Sequence, residues 1–125
     1  MSVNLDHTIV HATDQQASAA FWGRILGVEV SPRWGPFVPL KLANGVTIDF
    51  DEVEEVTPNH YAFLVTEAEF DPIFDRIRAE GIRFYADPTR RQASAINHHW
   101  GGRGVYFDDP DRHLLEVITQ PYGDL

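Results

Sequence analysis

The 125-residue sequence contains no cysteine. This absence excludes a disulfide framework, a thiolate zinc site and a cysteine nucleophile, and it is compatible with a reducing compartment. No stretch approaches the roughly 20 consecutive apolar residues of a membrane span, and the first residues lack the basic and apolar segments of a secretory signal. We therefore predict a soluble, cytoplasmic protein.

Positive charge is also scarce, since 10 Lys and Arg residues stand against 19 Asp and Glu residues, for a formal net charge of −9. Nucleic acids and anionic membranes bind proteins through clustered Lys and Arg, so neither is a predicted partner. With 43% hydrophobic residues, the chain can bury about two-thirds of the surface that it exposes when unfolded. We predict a single domain over residues 1–125.

The two halves of the sequence repeat one pattern. Each half begins with an extended stretch, continues with apolar residues at helical spacing and then reaches a glycine, Gly27 or Gly81. A shift of 53 residues aligns His7 with His60. We predict an α+β protein built from two tandem β-α-β-β-β modules, with module 1 at about 1–55 and module 2 at about 56–122.

Local signals mark the ends of the predicted helices and strands. Thr13 or Asp14 can cap the first helix, and Thr66 with Glu69 matches a capping box for the second. The predicted strands after each helix cover residues 28–31, 37–42, 46–51, 82–85, 104–108 and 113–119. The segment 86–103 is too long for a plain hairpin, and we predict that this insertion is a functional loop.

Strand alternation predicts a polar cluster. The bulky apolar residues of the strands share one face, which leaves His60, Glu116, Asp49 and, by the repeat, His7 on the other. An ionised carboxylate among apolar neighbours is unfavourable unless it is paired or bound to a metal. Two histidines and one carboxylate form a facial triad that suits Fe(II), so we predict His7, His60 and Glu116 as metal ligands. The alternative is that Glu116 faces solvent and that both histidines are ordinary, partly buried residues.

Nearly the whole chain resembles the vicinal oxygen chelate superfamily. The resemblance rests on the doubled module, on a histidine at the start of each module and on the motif GVYFDDPDRHLLE at 104–116. This family includes glyoxalase I, extradiol dioxygenases, fosfomycin-resistance transferases and bleomycin-resistance proteins. It implies an incompletely closed eight-stranded barrel, completed within one chain or by exchange between two, and we expect a homodimer.

The resemblance also implies site residues and a cofactor. It assigns a divalent metal to His7, His60 and Glu116, with Fe(II) or Mn(II) favoured and Ni(II), Co(II) or Zn(II) as further candidates. Asp49 lies where glyoxalase I has another carboxylate, but it is one methylene shorter than Glu, so we assign it to the substrate. Trp100, flanked by glycines in the insertion, is predicted to roof an aromatic ligand or to anchor the loop.

The stretch NHHWGGRGVYFDDPDRHLLE is similar to the extradiol dioxygenase signature. The similarity implies that Tyr106 and His99 hydrogen-bond a metal-bound oxygen of the substrate, with simple packing as the alternative for Tyr106. Arg112 stands where the signature has Gly or Pro, which predicts either a different turn or modest backbone strain.

The implied function is that of a metal-dependent enzyme acting on a small molecule chelated through vicinal oxygens. An extradiol-type dioxygenase and a glyoxalase-type lyase both remain open, because the upstream histidine base of well-known extradiol enzymes has no clear counterpart. The alternative class is a non-catalytic drug- or metabolite-binding protein of the bleomycin-resistance type, for which an acidic cup would suit a cationic ligand. Fosfomycin transfer ranks third, because the C-terminal TQPYGDL has no Lys or Arg cluster to hold a phosphonate.

Overall fold

The computed structural model describes residues 2–123. The chain divides into two compact units, Met1–Thr57 (unit 1) and Pro58–Leu125 (unit 2). Both units mix one α-helix with one β-sheet. Within residues 2–123, no helix combines the length and the apolar character that crossing a membrane requires.

Unit 1 contains one helix packed on a three-stranded sheet. Its elements are β1 (His7–Ala12), α1 (Gln15–Leu26), β2 (Val38–Lys41) and β3 (Thr47–Glu52). The strand order is β1-β3-β2, with β1 parallel and β2 antiparallel to β3. Trp22 of α1 and Phe50 of β3 are fully buried, and their rings meet edge to face with centroids 5.0 Å apart. This contact joins the helix to the inner face of the sheet.

The ends of α1 are determined by local chemistry. Of the two predicted caps, Asp14 is the one used, and its carboxylate accepts a hydrogen bond from the Ala17 N–H at 3.1 Å. Gly27 ends the helix in the left-handed conformation, with φ 75°. Gly23 lies near the end of α1, and a Cβ there would lie 2.6 Å from the Val28 carbonyl oxygen. Position 23 therefore needs glycine, because the chain packs against it as it turns back after the helix.

Unit 2 contains one helix and a four-stranded sheet. Its elements are β4 (His60–Leu64), α2 (Glu67–Ala79), β5 (Phe84–Tyr85), a short 3-10 helix (His99–Gly101), β6 (Gly104–Asp108) and β7 (Leu114–Ile118). The strand order is β4-β7-β6-β5. The predicted capping box is present: Thr66 Oγ1 accepts from the Glu69 N–H at 3.1 Å, and Glu69 accepts from the Thr66 N–H at 2.8 Å.

The internal repeat is visible in the strand register. In unit 1 the parallel pair β1–β3 places Ile9 beside Asp49, and in unit 2 the parallel pair β4–β7 places Ala62 beside Glu116. His7 and His60 each lie two residues before those paired positions. Because side chains two apart share a face of a strand, each unit brings a histidine and a carboxylate to the same face. The predicted α+β class with tandem modules is confirmed.

One predicted strand is missing, and another is shorter than expected. Residues 28–31 form only an isolated bridge between Val30 and Leu40, and the strand predicted at 82–85 is reduced to Phe84–Tyr85. Ser31 lies opposite Pro39 of β2. The Ser31 N–H donates to the Pro39 carbonyl at 3.0 Å, but Pro39 has no N–H and cannot donate a bond in return.

The turn before β7 adopts the strained alternative at Arg112, whose φ is 68°. Asp109 organises this turn, because its carboxylate accepts from the Asp111 and His113 N–H groups, both at 2.9 Å. Arg112 thus adopts a positive φ that glycine would tolerate at this position, at some cost in backbone energy.

Candidate metal and substrate site

Glu116 lies in the core of unit 2. It is 4% exposed, between the buried residues Leu115 and Val117 of β7. His60 of β4 approaches it, with Nε2 3.0 Å from Glu116 Oε1. The structure therefore contradicts the alternative in which Glu116 faces solvent, and it brings together two of the three predicted metal ligands.

The hydrogen bonds of His60 define which nitrogen is available. Its Nδ1 lies 3.0 Å from the Leu114 carbonyl oxygen, which can only accept, so Nδ1 carries a hydrogen. The neutral ring then presents an acceptor, Nε2, to a second acceptor, the carboxylate of Glu116. A shared proton or a cation between the two atoms resolves this conflict. An imidazole nitrogen and a carboxylate oxygen are a donor set that divalent transition metals accept.

Tyr106 of β6 completes this cluster, in which Tyr106 and Glu116 are buried and His60 is exposed. It pairs with Glu116 across the antiparallel β6–β7 ladder, and its ring stacks on that of His60 with centroids 6.0 Å apart. Burial and the hydrogen bond that its hydroxyl donates to Glu116 both raise the pKa of the Tyr106 phenol. Tyr106 is thus a hydrogen-bond donor at neutral pH and not a base.

A cavity of about 300 Å³ opens onto Tyr106 and Glu116, and His60 lies outside its lining. Its lining comprises Pro88, Asn97, His99, Trp100, Arg103, Tyr106, Glu116, Ile118, Gln120 and Tyr122. Its volume is at the low end of the range for small-molecule sites. The insertion contributes the predicted site residues His99 and Trp100 to the lining, whereas His98 is exposed and lies outside it.

The insertion is braced by its own polar contacts. The Asp87 carboxylate accepts from the N–H groups of Arg91, at 3.0 Å, and Gln92, at 2.7 Å. Arg90 donates from Nε to both carboxylate oxygens of Asp108 at 3.1 Å. The buried Asn97 donates to the Ala86 carbonyl at 2.9 Å. These bonds hold the loop in one shape beside the cavity, which suits a rigid wall of a binding site.

Arg103 is the arginine of the cavity lining, and three of its five N–H donors are engaged. Nε lies 2.8 Å from Glu67 Oε1, Nη1 lies 2.7 Å from Asp71 Oδ1, and Nη2 donates to the Glu67 carbonyl at 3.2 Å. The guanidinium also lies over the Phe70 ring, 4.4 Å from its centroid. The bond from Arg103 lowers the pKa of the Asp71 carboxyl. An anionic ligand would have to compete with the two carboxylates for Arg103.

Unit 1 has a cavity of its own around His7. This cavity, of about 360 Å³, is lined by Asp6, His7, Ile9, Trp34, Phe37, Pro39, Thr47 and Asp49. The His7 Nδ1 lies 2.8 Å from Asp6 Oδ2, so its Nε2 is left to bind another group. The predicted residues His7 and Asp49 therefore share one face of the unit 1 sheet. Asp6 was not among the predicted site residues, although its position directly before His7 in the sequence could have indicated a contact between the two side chains.

Within residues 2–123, no group of three or more His, Cys, Asp or Glu side chains has the spacing of a metal site. The His60–Glu116 pair brings two of the predicted ligands together, and the metal site itself stays a prediction.

We expect His7 to titrate above its usual pKa of 6.5, because the Asp6 hydrogen bond, the Asp6 charge and the more distant Asp49 charge all favour the imidazolium. Protons will therefore compete with a metal at His7 up to a higher pH than at an ordinary histidine. A pH titration of the metal-free protein followed by ¹H–¹³C NMR measures this midpoint. Asp6→Asn should lower it, while Asp51→Asn should leave it unchanged. A wild-type midpoint at or below 6.5 would contradict the assignment.

The duplicated unit and the contact between His60 and the buried Glu116 define an α+β protein of the glyoxalase type, with a small-molecule cavity beside a candidate metal centre. Residues 4–117 match the Glyoxalase/Bleomycin resistance protein/Dioxygenase superfamily. The chain belongs to this superfamily, which confirms the resemblance found in the sequence.

Three similar proteins illustrate the range of the family. The structure titled Oxidase ChaP-H2 is 54% identical, with a TM-score of 0.96, and the match covers 99% of this chain and 98% of that one. Glutathione transferase FosA of Serratia marcescens is 30% identical over 124 residues, which cover 94% of this chain and 81% of the relative. The fosfomycin resistance protein FosX of Listeria monocytogenes is 26% identical, with a TM-score of 0.70 and coverage of 100% and 97%.

Proposed function

We propose that the protein is a divalent-metal-dependent oxidase of the dioxygenase type, acting on a small molecule that binds the metal through two adjacent oxygens. The observation that carries this proposal is the contact between His60 and the buried Glu116, which lines a cavity together with Tyr106. The likeness to a protein named as an oxidase, at 54% identity over 99% of the chain, favours oxidation over the lyase reaction.

The metal would be held by His60 Nε2 and the Glu116 carboxylate, with His7 Nε2 as the third ligand. We propose that His7 comes either from the same chain or from a second copy in a homodimer, the state that we expect for this protein. Fe(II) or Mn(II) fits two imidazoles and one carboxylate, and Ni(II), Co(II) and Zn(II) are the alternatives. When bound, such an ion polarises the substrate oxygens, and Fe(II) also activates dioxygen.

The protein side chains would position the substrate and its protons. Tyr106 keeps its proton, so its hydroxyl donates a hydrogen bond to a substrate oxygen once the Glu116 carboxylate turns to the metal. His99 lies on the cavity wall, where its imidazole can take a proton from a substrate hydroxyl. The braced insertion limits the access of water. Asp49, which lies beside His7 in unit 1, is proposed to contact the substrate.

A second candidate is thiol transfer to an anionic substrate, because the relative named as a glutathione transferase is 30% identical. The state of Arg103 argues against this function, since Glu67 and Asp71 already neutralise the guanidinium that an anion would need. Non-catalytic binding of a metabolite is the third candidate, and the contact between His60 and the buried Glu116 favours an enzyme over it.

Metal loading followed by a substrate screen tests the proposal. We expect protein purified without chelator and loaded anaerobically with Fe(II) to bind one metal per site and to consume dioxygen when aromatic diols are added. Nickel-loaded protein, the hemithioacetal of glutathione and fosfomycin with glutathione serve as comparison arms. Hemithioacetal turnover without oxygen uptake would indicate a lyase, and fosfomycin consumption a transferase. A protein that neither binds nor is stabilised by Fe(II), Mn(II), Ni(II) or Zn(II) would be a binder.

A further inference from the structure

Two large aromatic side chains stand at the mouth of the unit 2 cavity. Trp100 of the insertion is 61% exposed, and Tyr122 of the C-terminal segment is 64% exposed. Their ring centroids lie 6.4 Å apart at an interplanar angle of 42°. Both residues line the cavity that contains Tyr106 and Glu116. The pair forms an apolar rim directly above polar groups at the cavity base.

The backbone of Trp100 has a conformation that bulky residues rarely adopt. Its φ is 59° and its ψ is 22°, the left-handed conformation that is uncommon for a bulky residue. Gly101 follows with φ 77°, and Gly123 packs so closely that a Cβ there would lie 2.5 Å from Trp100 Cη2. Neighbouring contacts thus determine the direction of the indole. Strain of this kind is retained where a side chain has a function.

The charged residues around the cavity also limit the charge of the ligands that it can bind. The Arg103 guanidinium is engaged by Glu67 and Asp71, and the acid at the base of the cavity is Glu116. The cavity therefore offers aromatic faces and hydrogen-bond donors, and the charge of its arginine is already paired with two carboxylates, which disfavours an anionic ligand. A flat, uncharged ligand with hydroxyls at one end complements these features.

We propose that Trp100 and Tyr122 form an aromatic subsite that stacks on a flat, uncharged, fused-ring part of the substrate, while its adjacent oxygens reach Tyr106 and Glu116. The inference rests on the proposed function in taking this cavity as the substrate site. Stacking on the rim itself requires no metal, so the subsite can be tested separately from the chemistry.

Isothermal titration calorimetry on the full-length protein, dialysed against EDTA, measures the subsite alone. The probes are 2,3-dihydroxynaphthalene, catechol and 6,7-dihydroxynaphthalene-2-sulfonate. We expect the naphthalene diol to bind about tenfold more tightly than catechol, because the second ring adds stacking area. The sulfonate, which has the same rings and one negative charge, should bind more weakly than the uncharged diol.

Substitutions at Trp100 separate stacking from a general effect on the loop. Asn tolerates the left-handed conformation, so Trp100→Asn should keep the fold, weaken the naphthalene diol about tenfold and leave catechol nearly unchanged. Trp100→Phe should retain most of the affinity. Ser94→Asn is the matched control, because Ser94 lies in the same insertion with φ 58° and outside the cavity lining, and it should change neither affinity.

Equal binding of the naphthalene diol by wild-type protein and Trp100→Asn would overturn the inference, as would no detectable binding by wild-type protein. Tighter binding of the sulfonate would overturn the restriction to uncharged ligands. A protein that discriminates these probes yet fails to turn over any aromatic diol with Fe(II) would refute the proposed function and leave the subsite standing. Turnover of 2,3-dihydroxynaphthalene by both proteins with equal KM would do the reverse.

Discussion

Glu116→Gln is expected to abolish metal binding and turnover while leaving the protein folded. Gln has the shape of Glu and can still accept a hydrogen bond from Tyr106, but it has no charge to neutralise a divalent cation. Loss of a ligand charge in a buried site should lower metal affinity by on the order of 100-fold or more, with turnover falling at least as far. Metal content by mass spectrometry and oxygen uptake measure the two effects.

The melting temperature of the metal-free variant separates loss of metal from loss of fold. A buried carboxylate is unfavourable without a partner cation, so metal-free Glu116→Gln should melt at or above the wild-type temperature. Glu54→Gln, at an exposed position of unit 1, is the matched control and should bind metal normally. Wild-type metal content in Glu116→Gln would refute the assignment of Glu116 as a ligand.

The same variant shows which chain supplies His7. If two chains exchange ligands, refolding a mixture of His7→Ala and Glu116→Gln chains creates mixed dimers in which one of the two sites has all three ligands. Activity should then reappear from two inactive parents. If each chain builds its own site, the mixture stays inactive at every ratio, because each chain carries one defect.

Of the substitutions proposed for this protein, His113→Ala is expected to lower the free energy of unfolding the most. His113 is fully buried, and its Nδ1 accepts a hydrogen bond from the Asn59 N–H at 2.9 Å. Its ring also meets the edge of Tyr61, with centroids 5.4 Å apart. Truncation to alanine removes the acceptor and leaves a cavity, which together should lower the free energy of unfolding by about 3 kcal/mol.

Urea unfolding of the metal-free protein, followed by circular dichroism, measures this change. His98→Ala, which truncates an exposed histidine of the insertion, is the control and should change the free energy of unfolding by no more than about 0.5 kcal/mol. His113→Asn keeps a short hydrogen-bond acceptor and should fall between the two. Equal stability of the His113 and His98 variants would show that the buried histidine contributes little to the fold.

Local signals predicted a large part of the fold. The capping box at Thr66 and Glu69, the helix stop at Gly27 and the alternation of the strands each depend on residues a few positions apart, and each is present. The missing strand at 28–31 shows the limit of such signals, because its loss depends on Pro39, a residue with no N–H on the partner strand.

The site was predictable only where strand periodicity and the repeat determined it. Strand alternation was enough to propose that His60 and Glu116 share a sheet face, and the alignment of the two halves added His7. Nothing in the sequence pairs Arg103 with Asp71, or Trp100 with Tyr122, since these partners lie in segments without periodicity. The left-handed conformation of Trp100 likewise depends on contacts with the chain end.

The sequence by itself determined the α+β class, the duplicated module and the side of the sheet on which the histidines and carboxylates lie, because periodicity and repetition are properties of the chain. The tertiary structure decided that Glu116 is buried against His60, that the Arg103 charge is already paired and that two aromatic rings border the cavity. Those features arise from contacts between residues distant in sequence, and their energies depend on burial and on distances that no local pattern encodes.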